Sequence, residues 1–385
     1  MANVWQLYKD FRMRIMLNTR FLLANGMEGI GWYKYELISR IVKAHPEHEF
    51  IFLFDRPFHE KFIFASNVIP LISPFPARHP ILWYLWFEYW VKKQLAKYKP
   101  DVFYSPDGYL CLATEVPTVL TIHDLAYLHD PEHINFLVRK YYGWFMPKFA
   151  AKADRIITVS EFVKHDIAEQ FHVNPDKIVC IHNGVRSEFK QGTAEEIYQV
   201  RSRYTGGKPY FLYYGAIQPR KNILRVITAF ELFKQRNTSD MKFILAGRMA
   251  WQSKEVVLAI KNSPFSADFI HLDHLGDELP EVVRSAFALV YVSISEGFGL
   301  PIAEAMASGV PVITSNVSSM PEVAGDAALL VDPASVNEIE VAMTSLYINP
   351  NLKADLIRKG QLQSSKFSWD LASEELWAQL EAIIK

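Results

Sequence analysis

Short runs of β-branched and aromatic residues alternate along this chain with longer amphipathic stretches. Arg14–Leu17 reads as a strand, and Gly31–Ala44 as a helix with Tyr35, Ile38 and Val42 on one face. Glu49–Phe54, Val102–Tyr104, Thr118–Ile122 and Ile156–Val159 are further strand-like runs, each followed by polar residues. A second series opens after residue 190. It has strands at Tyr210–Tyr214, Phe243–Ala246, Ala288–Val292 and Val310–Thr314, with helices at Asn222–Lys234, Glu255–Lys261 and Ile302–Ala307. Leu371–Ile384 predicts an uninterrupted helix after Asp370. Strands that alternate with helices predict parallel sheets covered by helices, an α/β architecture. Two such series predict two doubly wound domains, broken near the turn signal Asn183-Gly184. The boundaries expected are 1–185, with 1–11 as an extension without a role in the fold, then 186–369, then a closing helix over 370–385.

Composition narrows the class. At 385 residues the chain exceeds one ordinary core, and 50% hydrophobic with 22% charged residues is globular. Lys and Arg number 41 against 42 Asp and Glu, so no global basicity calls for nucleic acid. Cys111 and Cys180 sit beside apolar neighbours and read as reduced, buried thiols of a cytosolic protein rather than a disulfide framework. No basic segment followed by an apolar run opens the chain, and no stretch approaches the ~20 apolar residues of a membrane span. The expected location is the cytoplasm, with the inner face of the membrane as the alternative.

In open parallel sheets ligands bind beyond the carboxyl ends of the strands, so the polar residues after each strand carry the chemistry. The most informative segment is Ser295-Glu296-Gly297-Phe298-Gly299-Leu300-Pro301-Ile302-Ala303-Glu304. Pro301 suits the first turn of a helix. Gly297 and Gly299 let backbone approach a ligand, and the amides of Gly297, Phe298, Gly299 and Leu300 at a helix start suit a diphosphate. Carboxylates repel phosphate, so Glu296 and Glu304 are expected to bind hydroxyls. Gly215-Ala216-Ile217-Gln218-Pro219-Arg220-Lys221-Asn222 places two cations before a helix, where the dipole disfavours them unless an anion is bound. In the first half, His123 ends the strand Val119–Ile122. Gly26-Met27-Glu28-Gly29-Ile30-Gly31 is a glycine turn that lacks the dinucleotide spacing, and close packing explains it equally well.

Taken together, Glu296-x7-Glu304, the following Ala305-Met306-Ala307-Ser308-Gly309-Val310-Pro311-Val312-Ile313, and Pro321-Glu322-Val323 resemble the retaining glycosyltransferases of family 4. Those enzymes have the GT-B fold, two facing Rossmann-like domains with a deep interdomain cleft. The resemblance covers nearly the whole chain beyond the N-terminal extension. It implies that Glu296 contacts the donor sugar, Glu304 the nucleotide ribose and Lys221 the phosphates. It also implies that His123, set by the order His123-Asp124 then Pro131-Glu132, lines the donor-sugar pocket and assists transfer. In the family the turn carrying Gly29 and Gly31 faces the donor diphosphate and the acceptor, and these two glycines with Gly215 are expected on the donor. The family's terminal helix returns to the first domain, which is the expectation for 370–385. Many members carry an arginine where this chain has Ala216, and Arg220 is the residue expected to replace it.

The function expected is therefore a metal-independent retaining hexosyltransferase without a cofactor. Its donor is a nucleoside diphosphate sugar, GDP-mannose first and a UDP-sugar second, and its acceptor a glycan or a lipid-linked glycan of cell-surface polysaccharide synthesis. The rivals are a sugar-nucleotide epimerase and a non-catalytic nucleotide-sugar-binding protein. His129, Asp130 and His133 are assigned to structure or to the acceptor side. His271-Leu272-Asp273-His274 has metal-ligand residue types without a third ligand nearby, so a polar strand is preferred. Pro80–Trp90, with Lys92, Lys93, Lys97 and Lys99 after it, reads either as an interfacial helix touching a membrane or as a core helix with a solvated basic end. The core reading is preferred because aromatic residues occupy several helical faces.

Overall fold

The computed structural model describes residues 12–24, 26–27, 29–131, 135–250 and 253–384. The expected extension over 1–11, Glu28 of the glycine turn, and Glu132 and His133 lie outside the described residues. Two compact units emerge. One is formed by the chain up to Asn183 together with the segment from Trp369, and the other by Gly184–Ser368.

The first unit is built on a seven-stranded sheet. Its strands are β1 (Arg14–Asn18), β2 (Glu49–Phe54), β3 (Val68–Ile72), β4 (Val102–Ser105), β5 (Thr118–Ile122), β6 (Arg155–Thr158) and β7 (Ile178–Cys180). The spatial order is β3-β2-β1-β4-β5-β6-β7 and every pairing is parallel. Strands covered on both faces need no polar alternation, and β4 and β5 are accordingly buried at every position. Strand order reverses between β1 and β4, so the loops after these two strands diverge and leave room beyond their carboxyl ends.

The second unit repeats the plan with six strands: β8 (Tyr210–Tyr214), β9 (Lys242–Ala246), β10 (Phe269–Leu272), β11 (Ala288–Tyr291), β12 (Val312–Ser315) and β13 (Ala328–Val331). Their order is β10-β9-β8-β11-β12-β13, again all parallel. The reversal falls between β8 and β11. The loops leaving those strands carry Lys221 and Glu296.

Four strands escape the hydrophobic pattern, and all four lie at sheet edges: β3, β7, β10, which overlaps the polar strand expected at His271–His274, and β13. Strand β3 carries Pro70 at its centre, which only an edge accepts, because proline cannot donate to a ladder. The last helix, Trp369–Ile384, packs within the first unit on the helix Gly29–Ala44. The Trp377 indole stacks on His45 with centroids 3.6 Å apart, and Arg40 Nε donates to Asp370 at 2.6 Å.

The aromatic segment is one helical rod from Pro80 to Tyr98 with a π turn at Trp86–Val91. A π turn inserts a residue and rotates the faces that follow it. Trp86, Phe87 and Val91 thereby enter the core, while Ile81, Tyr84, Leu85 and Tyr89 stay exposed. The segment is thus a core helix on one side only.

Candidate functional site

In the second unit the site is built on the two loops at the switch point. Strand β8 ends at Tyr214, and Gly215 follows with φ +130°, a conformation that suits glycine. The chain then runs to a 3-10 turn at Pro219–Lys221 and enters the helix Ile223–Arg236 through Asn222 in the left-handed region. Asn222 tolerates that backbone and uses its side-chain amide to bind two loops, donating to the carbonyls of Val292 (3.0 Å) and Pro333 (2.7 Å). Ile294 N–H donates to Arg220 O at 2.9 Å. The basic loop and the glutamate loop are therefore fastened to each other by backbone.

Side chains complete the junction. Lys221 is buried, and its ammonium donates to Glu296 Oε1 and, at 2.7 Å, to the Tyr291 hydroxyl. Tyr291 in turn donates to Glu296 Oε1 at 2.8 Å. Arg220 donates to Ser295 O and, at 3.2 Å, to Glu296 Oε2. Burial alone would raise the Glu296 pKa, but Lys221 and Arg220 outweigh it and hold the carboxyl at about 2. The carboxylate is ionised, oriented and weakly basic. Its backbone is held as firmly: Glu296 N–H donates to Ser318 Oγ at 3.0 Å, and Ser318 Oγ–H returns a bond to Glu296 O at 2.6 Å. Ser318 does this from φ +61°, a rare backbone for a non-glycine residue. Nothing in the sequence pattern pointed to Ser318, Tyr291 or Asn222.

Glu304 lies on the helix Leu300–Ala307, entered through Gly299 at φ +98° with Pro301 in its first turn. Leu300 opens the helix, and Gly297 sits in the loop that leads into it. The Phe298 ring is core, packed edge-on against Phe367 at 5.3 Å, so any ligand contact from this residue is through backbone. Glu304 occupies a second pocket of charge. Tyr214 donates to Oε2 at 2.7 Å, and Arg186 Nε lies 3.6 Å from Oε1. Arg186 is a further residue that the motif did not reveal. Burial pushes the Glu304 carboxyl up to about 7, against the pull of Arg186 and Tyr214. Two glutamates eight positions apart are thus tuned in opposite directions.

Glu304 gives a stability prediction with a definite sign. Its folded pKa of about 7 lies above the ordinary 4.5. Between those values the folded state keeps the proton that the unfolded state releases. Stability from this group is therefore full below about pH 4.5, falls as pH rises to about 7, and is flat above. Glu304→Gln is expected to remove that slope, on the order of 3 kcal/mol across the window. Thermal unfolding of both proteins from acid to neutral pH reads it, and parallel slopes in the two would refute the assignment.

In the first unit the loops after β1 and β4 also meet. Asp107 is buried and accepts from Asn18 Nδ2 (2.7 Å), Arg20 Nη2 (3.1 Å) and Lys34 Nζ (3.1 Å). Burial works against its charge, but Lys34 and Arg20 keep the carboxyl below its ordinary range. Arg20 also lies 4.4 Å from the Tyr109 ring centroid. His123 follows β5 and donates from Nε2 to Pro106 O at 2.9 Å, with Tyr33 edge-on at 4.7 Å. A carbonyl can only accept, so Nε2 carries the proton and Nδ1 is the acceptor of the neutral ring. Burial lowers the His123 pKa, which favours that neutral form. Gly31 is required by packing, since a Cβ there would lie 2.9 Å from Phe21 O. A Cβ on Gly29 would meet nothing within 4 Å.

The remaining polar residues resolve simply. His129 Nε2 pairs with Asp166 at 2.8 Å, and Asp130 is buried. His271 Nε2 donates to Gly247 O at 2.9 Å, from strand β10. His45, Glu47 and His48 bring ligand-type atoms within 4.8 Å of one another. However, His48 Nδ1 accepts from Met13 N–H at 3.2 Å, so its Nε2 bears the proton and cannot ligate in this tautomer.

Residues 27–189 match the family model "Glycosyltransferase Family 4", and residues 195–363 match "Glycosyl transferases group 1". The chain is 30% identical over 357 residues to the O-antigen chain mannosyltransferase B of Escherichia coli, across 89% of this chain and 93% of that one. It is 30% identical over 275 residues to the O-antigen chain mannosyltransferase RfbU of Salmonella typhimurium, across 70% of this chain and 71% of that protein. Among solved structures, the Anabaena protein HepE in complex with UDP and glucose superposes with a TM-score of 0.76 at 16% identity, covering 96% of this chain and all of the other (100%). Sucrose-phosphate synthase from Thermosynechococcus elongatus does so with a TM-score of 0.79 at 18% identity, over 96% and 100% of the two chains. With both Rossmann-like units, the switch-point glutamate loop and a near full-length relative in agreement, the chain belongs to the family 4 glycosyltransferases and has their GT-B fold.

Proposed function

We propose that this enzyme is a retaining mannosyltransferase that uses GDP-mannose to extend a glycan or lipid-linked glycan in cell-surface polysaccharide synthesis. A UDP-sugar is the second donor considered. The choice of mannose and of polysaccharide is supported by the names of the O-antigen mannosyltransferases it resembles. A UDP-sugar is supported only by what HepE binds, a protein with the same fold at 16% identity.

The observation that carries the chemical reading is the Lys221–Glu296–Arg220 junction. A carboxylate held at about 2 by two cations is a poor proton acceptor. Glu296 therefore serves as an acceptor for donor-sugar hydroxyls and not as a catalytic base. The proton needs another destination, and the leaving phosphate is a suitable one. The bond from the anomeric carbon to the β-phosphate oxygen breaks, the acceptor oxygen attacks from the same face, and its proton passes to that phosphate oxygen. Lys221 and Arg220 stabilise the charge that develops on the diphosphate, the part a metal plays elsewhere. Gly215 and the backbone of Gly297–Leu300 bring amides to the same anion. Glu304, beside Arg186 and Tyr214, takes the ribose hydroxyls. His123 Nδ1, as an acceptor on the first unit, takes a donor-sugar hydroxyl, with the turn at Gly29 and Gly31 on the donor side. The enzyme needs no cofactor and works in the cytoplasm.

Binding and turnover separate these roles. Glu304→Gln is expected to weaken free nucleotide, because ribose contact does not need the sugar. Glu296→Gln and His123→Ala should each keep nucleotide affinity within a few-fold while losing most transfer. Titration calorimetry with the nucleoside diphosphate, alongside steady-state turnover, tests the set. A His123→Ala enzyme at full rate would remove that residue from the mechanism.

A further inference from the structure

The rod Pro80–Tyr98 and the helix Phe136–Lys152 together present an aromatic and basic face that the other described residues leave uncovered. On the first, Ile81, Tyr84, Leu85 and Tyr89 are exposed, Ile81 at 66%. On the second, Phe136, Lys140, Trp144 and Lys148 recur at every fourth position and are all exposed, Trp144 at 66%. The two elements touch: the Tyr84 ring lies 5.8 Å from Phe145, the neighbour of Trp144, and Trp83 stacks on Tyr142 at 6.1 Å. The lysines lean on the aromatics, Lys148 over Trp144 at 4.7 Å and Lys140 over Phe136 at 5.7 Å.

Charge on these elements is one-sided in a chain whose net charge is −1. Residues 80–100 and 136–153 hold eight Lys and Arg and a single carboxylate, Glu88. Glu88 is turned inward, accepting from Leu112 N–H at 2.7 Å and Ala113 N–H at 3.3 Å. No helix among the described residues is long and apolar enough to cross a membrane. A protein partner fits this face poorly, because lysine is depleted from protein interfaces. Nucleic acid could stack on Tyr89 and Trp144 but would leave the exposed aliphatic Ile81, Leu85 and Leu137 without an apolar partner, which a bilayer supplies. Aromatic rings with long cationic stems beside them match the boundary between lipid headgroups and acyl chains.

We propose that this face docks the enzyme on an anionic lipid bilayer, with Ile81, Tyr89 and Trp144 entering the headgroup layer and Lys140 and Lys148 meeting lipid phosphates. The proposal specifies how a lipid-linked acceptor would be met, but it does not rest on the identity of the donor. Flotation of the full chain with vesicles, without donor or acceptor, tests it alone. The chain is expected to float with phosphatidylcholine vesicles containing phosphatidylglycerol, to stay behind with phosphatidylcholine alone, and to detach as salt rises. Lys140→Glu with Lys148→Glu should cut partitioning at least tenfold, since each cation near an anionic surface is worth roughly fivefold. Tyr89→Ala with Trp144→Ala should cut it severalfold even at low salt. Unfolding midpoints equal to the parent's would show that both double variants fold. Absence of flotation, variants that float like the parent, or flotation equal on both vesicle types would overturn the proposal. So would a parent that stays off vesicles but self-associates, or binds nucleic acid, through this face.

Discussion

Lys221→Ala is expected to lower turnover at least a hundredfold, the scale seen when one preorganised stabiliser of developing negative charge is removed. Nucleoside diphosphate affinity should fall by ~1.5–3 kcal/mol, the worth of a charge-assisted hydrogen bond. A second effect follows from burial. Glu296 is almost wholly enclosed, and Lys221 is the charged partner on its Oε1, beside the Tyr291 hydroxyl. Removing Lys221 leaves the buried carboxylate with only Arg220 on Oε2 and Tyr291 on Oε1, so a stability loss is expected that stays below the ~3–5 kcal/mol of a wholly stranded charge. The two effects can be separated. Glu296→Gln placed on top of Lys221→Ala should restore part of the stability, because the under-compensated buried charge is gone, while turnover stays lost. The pH response supports the same reading. The folded pKa of about 2 lies below the ordinary 4.5, so the parent gains stability from Glu296 above about pH 4.5 and loses it as pH falls toward 2. Lys221→Ala should blunt that acid-induced loss. Full turnover in Lys221→Ala, or a double variant no more stable than the single, would contradict this account of the junction.

Gly247→Ala is expected to be the most damaging small substitution in the second unit. Gly247 has φ +142°, and a Cβ there would sit 2.1 Å from Gly215 O and 2.8 Å from Gly215 C. Neither contact can be relieved by a side-chain rotation, because both atoms are backbone. The approach is close because the sheet's ladder continues past the strand ends. Gly215 N–H donates to Ala246 O (2.9 Å), Gly247 N–H to Leu272 O (2.8 Å) and Ile217 N–H to Arg248 O (3.0 Å). The loop that presents Arg220 and Lys221 is thus zipped to the loop after β9. An alanine at 247 must push the two apart, and a loss of more than about 3 kcal/mol is expected, with nucleotide binding lost alongside. Gly29→Ala is the control. Nothing stands within 4 Å of its Cβ, so stability should change by less than about 1 kcal/mol. Denaturant unfolding of both variants reads the contrast, and a Gly247→Ala protein as stable as the parent would show that the loops are not so joined.

Much of this was legible in the sequence, and the part that was not has a common cause. Central strands are buried on both faces and announce themselves as unbroken apolar runs, as Thr118–Ile122 and Tyr210–Tyr214 do. Edge strands need no such run, which is why Val68–Ile72, with Pro70 at its centre, passed unnoticed. The glutamate loop and the basic loop were visible because glycine, proline and charge cluster there within ten residues. Residues that act by tertiary contact left no local trace. Asp107 lies 87 positions from Arg20 and 73 from Lys34, and Ser318 lies 22 from Glu296. Gly247 looks like an ordinary turn glycine until the neighbouring loop is built beside it. Arg220 was expected to stand in for the arginine absent at Ala216. Its hydrogen bonds go to Ser295 O and Glu296, so it also braces the glutamate loop from which the donor-sugar contact is proposed.

The central claim, transfer of a hexose with retention and without metal, is tested most directly by the anomeric configuration of the product. The enzyme would be given GDP-mannose or UDP-glucose in EDTA with a glycan acceptor, and the new linkage read by proton and carbon NMR at the anomeric position. The account predicts an α-linked mannosyl product from the α-linked GDP donor, formed at an undiminished rate in the chelator. A β-linked product, an epimerised donor with no product, or activity that returns only when a divalent cation is added would contradict it.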